Sequence, residues 1–97
     1  MRLRPDEVAA IKAAAAEAFG ADVVVRLFGS RVDDSKRGGD IDLHVEIPLP
    51  ELRTKEIEFR VKLWKELDEE PVDVVVHDKG AAPGWIDEIA YRDGVVL

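Results

Sequence analysis

The stretch that most restricts the fold is "DIDLHVEI", residues 40–47, in which polar and apolar residues alternate without a break. Successive side chains of a strand point to opposite faces, so Ile41, Leu43, Val45 and Ile47 share one face while Asp40, Asp42, His44 and Glu46 share the other. A helix would scatter this pattern around its axis. The segment therefore predicts a half-buried strand that Pro48 and Pro50 bring to an end. Its apolar face needs helices to cover it, and its edges need partner strands.

The flanking sequence supplies both. Residues 4–20, "RPDEVAAIKAAAAEAFG", open with Pro5 and two acids, as a helix N-terminus does, and close at Gly20. "DVVVRLF", residues 22–28, is a β-branched run too short for a helix and reads as a buried strand. "ELRTKEIEFRVKLWKELDEE", residues 51–70, predicts a second helix with Ile57, Val61 and Trp64 on its apolar stripe, widened by Phe59, Leu63 and Leu67. Glu51–Lys55 and Glu58–Lys62 have the spacing of favourable pairs along it. "PVDVVVHD", residues 71–78, reads as a third strand, "PGWIDEIAYRDG" as a helix closed by Gly94, and "VVL" as a tail or edge strand. The sum is an α/β (α+β) fold, a small mixed sheet with helices packed on one face. With 97 residues, 46% of them hydrophobic, the chain fits one compact domain over 1–97.

Charge and composition narrow the function. A net charge of −7 disfavours direct nucleic-acid binding through phosphate neutralisation and suits metal ions or a basic partner. The absence of cysteine removes disulfides, thiolate metal sites and cysteine nucleophiles. The start, "MRLRPDEVAA", lacks the apolar core of a signal peptide, and no apolar run has membrane-spanning length, so a soluble cytoplasmic protein without membrane association is expected.

The chemistry concentrates in "LFGSRVDDSKRGGDIDLHVEI", residues 27–47. Asp40 and Asp42 lie two apart on a strand, roughly 6 to 7 Å along one face, so both carboxylates can reach one ion. Like charges this close need a proton or a cation between them, and Mg²⁺ is the hard cation suited to carboxylate and phosphate oxygens. Asp73, flanked by Val72 and Val74, joins the same face if helices cover the valines. Gly29 permits a tight turn directly after a strand, and Ser30 can cap that turn or donate to a phosphate. Three carboxylates and a phosphate-holding turn are the parts of a two-metal phosphoryl-transfer site.

A Gly-Ser pair at a strand end, an Asp-x-Asp on the next strand and a further Asp on a third together resemble the signature of the DNA polymerase β-like nucleotidyltransferase superfamily. The "GSR…GDIDL" wording and the small size are most similar to its minimal nucleotidyltransferase domains, many of them antitoxins paired with a HEPN-domain ribonuclease toxin. The connection from Ser30 to Asp40 is slightly shorter than in those antitoxins, and Gly39 stands where a serine is common. The resemblance implies that Asp40 and Asp42 bind two Mg²⁺ ions and that Asp73 completes the catalytic metal site and helps activate the acceptor hydroxyl. It also implies that Gly29 and Ser30 hold the β- and γ-phosphates of a nucleoside triphosphate, ATP, with Arg31 as a further phosphate ligand. The implied reaction moves AMP to a hydroxyl of a partner protein, a HEPN-type toxin. Two readings stay open beside it, a binding module that neutralises its partner by stoichiometric contact and an enzyme acting on small hydroxylated compounds.

Other residues read more plainly. Lys36 and Arg37 are expected as solvated loop charges. His44 and His77, on different strands without ligand-type spacing, read as incidental rather than as a zinc site with Asp42. Trp64 and Trp85 read as core or interface anchors. Trp85, Ile86, Ile89, Val95 and Leu97 exceed what one small helix and a tail can bury, which leaves apolar surface for a partner or for self-association.

Overall fold

The computed structural model describes residues 3–33 and 39–97. Helix α1 (Pro5–Phe19) begins where expected, with Pro5 in its first turn and the Glu7 carboxylate accepting the Arg4 N–H at 2.9 Å. Gly20, at φ +91°, ends it and donates its N–H to Ala16. Strands β1 (Val24–Phe28) and β2 (Ile41–Ile47) are joined through a 3₁₀ turn at Gly29–Val32. A second 3₁₀ turn (Pro50–Lys55) leads into helix α2 (Glu56–Glu66), followed by strand β3 (Val72–Asp78), helix α3 (Trp85–Asp93) and the short strand β4 (Val95–Val96). The sheet order is β3-β2-β1-β4, with β2 and β3 parallel and the remaining pairs antiparallel. Among the described residues no helix is long and apolar enough to cross a membrane.

The alternation of β2 is realised in full, with Ile41, Leu43, Val45 and Ile47 completely buried. They meet Ile11, Ala14, Ala15 and Phe19 of α1 and Phe59 and Leu63 of α2. The alanines let α1 approach the strands closely, and Phe19 and Phe59 meet with ring centroids 5.2 Å apart. Helices on one face of a small mixed sheet thus describe α1 and α2. Helix α3 lies over the opposite face, where its Asp87 and Tyr91 bond to His44, Glu46 and His77. Strand β2 is consequently not half-buried, because His44 on its polar side is completely enclosed.

Helix α2 departs from its expected stripe. Phe59, Leu63 and Leu67 face the core, whereas Ile57 is 74% and Trp64 49% exposed, with Val61 beside them. Phe59 has a partner in Phe19, and a helix of this width cannot bury both of its apolar stripes against one sheet. Lys62 pairs across to Glu17 of α1 rather than along its own helix to Glu58. Trp85, 74% exposed, is no core anchor either. The outer edge of β3 is covered by arginines, since Arg60 donates to the Val74 carbonyl at 2.8 Å and Arg53 to the Val76 carbonyl at 3.2 Å. This occupies carbonyls that an open edge would leave for another strand.

Candidate active site

Asp42 and Asp73 are directly opposite one another in the parallel β2–β3 register. Val74 is in the core, and Val72 and Val76 pack against it, so Asp73 faces away from α1 and α2, on the side of Asp42. Asp40 precedes β2 by one residue and is exposed. Burial pushes the Asp42 carboxyl above the ordinary carboxylate range. The charge of Asp73, a hydrogen bond shared with Asp73 and the charge of Asp40 push it the same way. Among the described residues nothing offsets these effects on Asp42, so the group carries charge that a cation would relieve.

The turn after β1 closes on this carboxylate. Gly29 has φ +79°, and a Cβ built on it would fall 2.3 Å from Asp42 Oδ2. Any side chain there would displace the carboxylate, so the glycine is required both by its backbone conformation and by the space. Gly39, at φ +86°, stands in the same relation to Ser30, whose Oγ would lie 2.1 Å from an added Cβ. The Gly-Ser turn and the lead-in to the Asp-x-Asp strand are therefore in contact, each yielding a side chain to the other. Arg31 donates to the Gly39 carbonyl at 3.4 Å and pairs with Glu70, which ties the turn to the connection entering β3. Lys36 and Arg37 lie outside the described residues. A shallow cleft of about 260 Å³ between α2 and the start of β3, lined by Arg60, Trp64 and Glu70, opens beside Asp73.

Two features escape a reading of spacing alone. Glu70 is the partner of Arg31, although they are far apart in the chain. His44 and His77 are not incidental in placement, because their rings lie 5.9 Å apart and Asp87 of α3 reaches both. That grouping follows from the parallel pairing of β2 with β3 and from α3 crossing the polar face, neither of which the local sequence specifies.

A comparison with curated proteins gives no match. The family model described as "Nucleotidyltransferase domain" matches residues 8–91, a span that takes in the Gly29–Ser30 turn, Asp40, Asp42 and Asp73 together. Little of the chain lies outside it, and the chain belongs to the nucleotidyltransferase domain family, whose general chemistry is nucleotidyl transfer from a nucleoside triphosphate with a divalent metal.

Proposed function

We propose that the chain is a minimal nucleotidyltransferase of the cytoplasm that moves AMP from ATP to a side-chain hydroxyl of a partner protein, a HEPN-type toxin for which it serves as antitoxin. The observation that carries the transfer site is the side-by-side register of Asp42 and Asp73, with Asp40 close enough to act on Asp42. An all-carboxylate donor set under mutual repulsion fits Mg²⁺. Bound by Asp40, Asp42 and Asp73, Mg²⁺ supplies the charge that neutralises the triphosphate and loosens the acceptor proton. Asp73, the more exposed of the paired carboxylates, takes that proton as the acceptor oxygen attacks the α-phosphorus. The bond from the α-phosphorus to the bridging oxygen breaks, and pyrophosphate leaves. Gly29 and Ser30 hold the β- and γ-phosphates, with the missing side chain of Gly29 allowing close approach. Support for the partner comes from the likeness to minimal antitoxins and from apolar surface on Trp85 and Val96, together with the α2 stripe.

That stripe, Ile57, Val61 and Trp64, favours a second reading in which the chain silences its partner by contact alone. Label transfer separates the two. Incubation with a co-purified partner and ATP labelled at the α-phosphate should mark the partner, label at the γ-phosphate should not, and Asp42→Asn should remove the mark with the fold intact. Transfer of the γ-label would mean kinase chemistry. Silencing of the partner with neither label transferred would establish the binding module.

A further inference from the structure

A second polar cluster lies further along the same sheet face, enclosed between β2, β3 and α3. His44 Nε2 is 2.8 Å from Asp87 Oδ1, and His77 Nε2 is 3.9 Å from Asp87 Oδ2. One ligand atom from each of His44, His77 and Asp87 can be chosen so that all three lie within 4.8 Å of one another. All three residues are more than nine-tenths buried.

The hydrogen bonds around His77 orient it for a cation. Tyr91 donates its hydroxyl proton to Glu46 Oε2, so toward His77 Nδ1, 3.0 Å away, that hydroxyl is an acceptor. This places the imidazole proton on Nδ1 and leaves a lone pair on Nε2. Nε2 is buried and has no hydrogen-bond partner, with a carboxylate oxygen as its polar neighbour. A lone pair facing a carboxylate with nothing positive between them is an unsatisfied arrangement. Asp87 is itself held, since Oδ2 accepts the Gly84 N–H at 2.7 Å. Imidazoles and carboxylates fixed by outer hydrogen bonds in this way are the usual surroundings of a bound transition metal.

We propose that His44, His77 and Asp87 bind one divalent first-row transition metal of the zinc type, through the two Nε2 atoms and a carboxylate oxygen. Two imidazole nitrogens select such an ion over Mg²⁺, which prefers oxygen. Tetrahedral zinc with its ordinary bond lengths separates neighbouring donor atoms by roughly 3.3 Å, within the spread of distances seen here. The ion replaces the proton that His44 Nε2 shares with Asp87, and His44 carries its proton on Nδ1 instead, a buried atom with no acceptor among the described residues, so the metal bonds must outweigh the cost of that unpaired donor. Three protein donors leave a fourth position for water. The positive charge of Arg26, whose guanidinium lies over the Tyr91 ring, is offset by Glu46 at 4.0 Å. No described residue of α3 belongs to the apolar core cluster. The ion would therefore fasten α3 to the sheet, a structural role independent of nucleotidyl transfer.

The test uses the untagged chain, stripped with a chelator and titrated with Co²⁺ and then Zn²⁺. One equivalent of Co²⁺ should give the visible absorption of a four-coordinate nitrogen–oxygen site, Zn²⁺ should displace it, and the melting temperature should rise. His77→Gln and Asp87→Asn should each lose the band and the rise, while Asp42→Asn and Asp73→Asn keep both. Asp87→Asn retains an oxygen for the Gly84 N–H, so it serves if His77→Gln does not fold. Wild-type protein with no band and no zinc-dependent rise overturns the proposal. So does a band that survives both cluster variants, or one that Asp42→Asn removes.

Discussion

The polar face of the sheet carries two clusters built on opposite rules. Near the start of β2 and β3, Asp40, Asp42 and Asp73 bring charges of one sign together, and Asp42 is pushed up by burial and by both neighbours. Further along, Glu46 and Asp87 are equally subject to burial, which by itself raises a carboxyl. There it is overcome, for Glu46 by the Tyr91 hydroxyl, Arg26 and His77, and for Asp87 chiefly by the Gly84 N–H and the bond from His44, so both are held below their ordinary range. Tyr91, whose ring is partly exposed, is pushed up to about 12 by desolvation of its hydroxyl and by the bond to Glu46. Burial acts in the same direction in both places; the partners decide the outcome. Donors and cations around Glu46 offset its burial, whereas among the described residues Asp42 has only further carboxylates acting on it and is left to bind a hard cation.

The contrast can be broken most sharply at Asp42. Asp42→Asn should lower nucleotidyl transfer by roughly a thousandfold or more, because transition-state charge loses its support, while thermal unfolding of the metal-free chain is not weakened. A parallel loss of stability would mean that the carboxylate is structural. Gly29→Ala should come next in size. The added Cβ meets Asp42 Oδ2 and the backbone is left-handed, so denaturant unfolding should show a loss of about 1–3 kcal/mol, together with reduced transfer. Tyr91→Phe probes the compensated cluster. It removes the hydroxyl between Glu46 and His77 and should cost about 1–2 kcal/mol with transfer chemistry otherwise intact.

The smallest effect is the dependence on pH, where the two clusters should differ in sign. Asp42 has a raised folded-state value, so its contribution favours folding below its unfolded value of 3.8 and is lost as pH rises through the folded one. Metal-free Asp42→Asn should therefore melt slightly above wild type at neutral pH, and that gain should vanish in acid. Glu46 has a lowered value, so its contribution is present above its unfolded value of 4.5 and is lost as pH falls through the folded one. Glu46→Gln should melt below wild type at neutral pH and converge with it in acid. Melting curves across this range for the three proteins decide the matter.

Much of this was legible in residue order. The alternation of residues 40–47 assigned each side chain of β2 to its observed face, and Gly20 and Gly94 closed α1 and α3 where expected. Asp73 could be put beside Asp42 because Val72 and Val74 had to face the core. The buried side of α2 could not be read, since Ile57, Val61 and Trp64 repeat with the same period as Phe59, Leu63 and Leu67. Periodicity does not say which stripe meets the sheet; contact with Phe19 does. The cover over His44 was equally hidden. A polar strand face looks solvated until a helix carrying matching polar groups, Asp87 and Tyr91, is found on top of it.

The central claim is that the uncompensated carboxylates of β2 and β3 form the seat of a metal-bound triphosphate. It is tested most directly by melting the chain with and without Mg²⁺ and a non-hydrolysable ATP analogue, beside Asp42→Asn. Wild type should gain on the order of 1–3 kcal/mol at saturating ligand, and Asp42→Asn should gain almost nothing. An equal gain in both proteins, or none in wild type, would contradict the account.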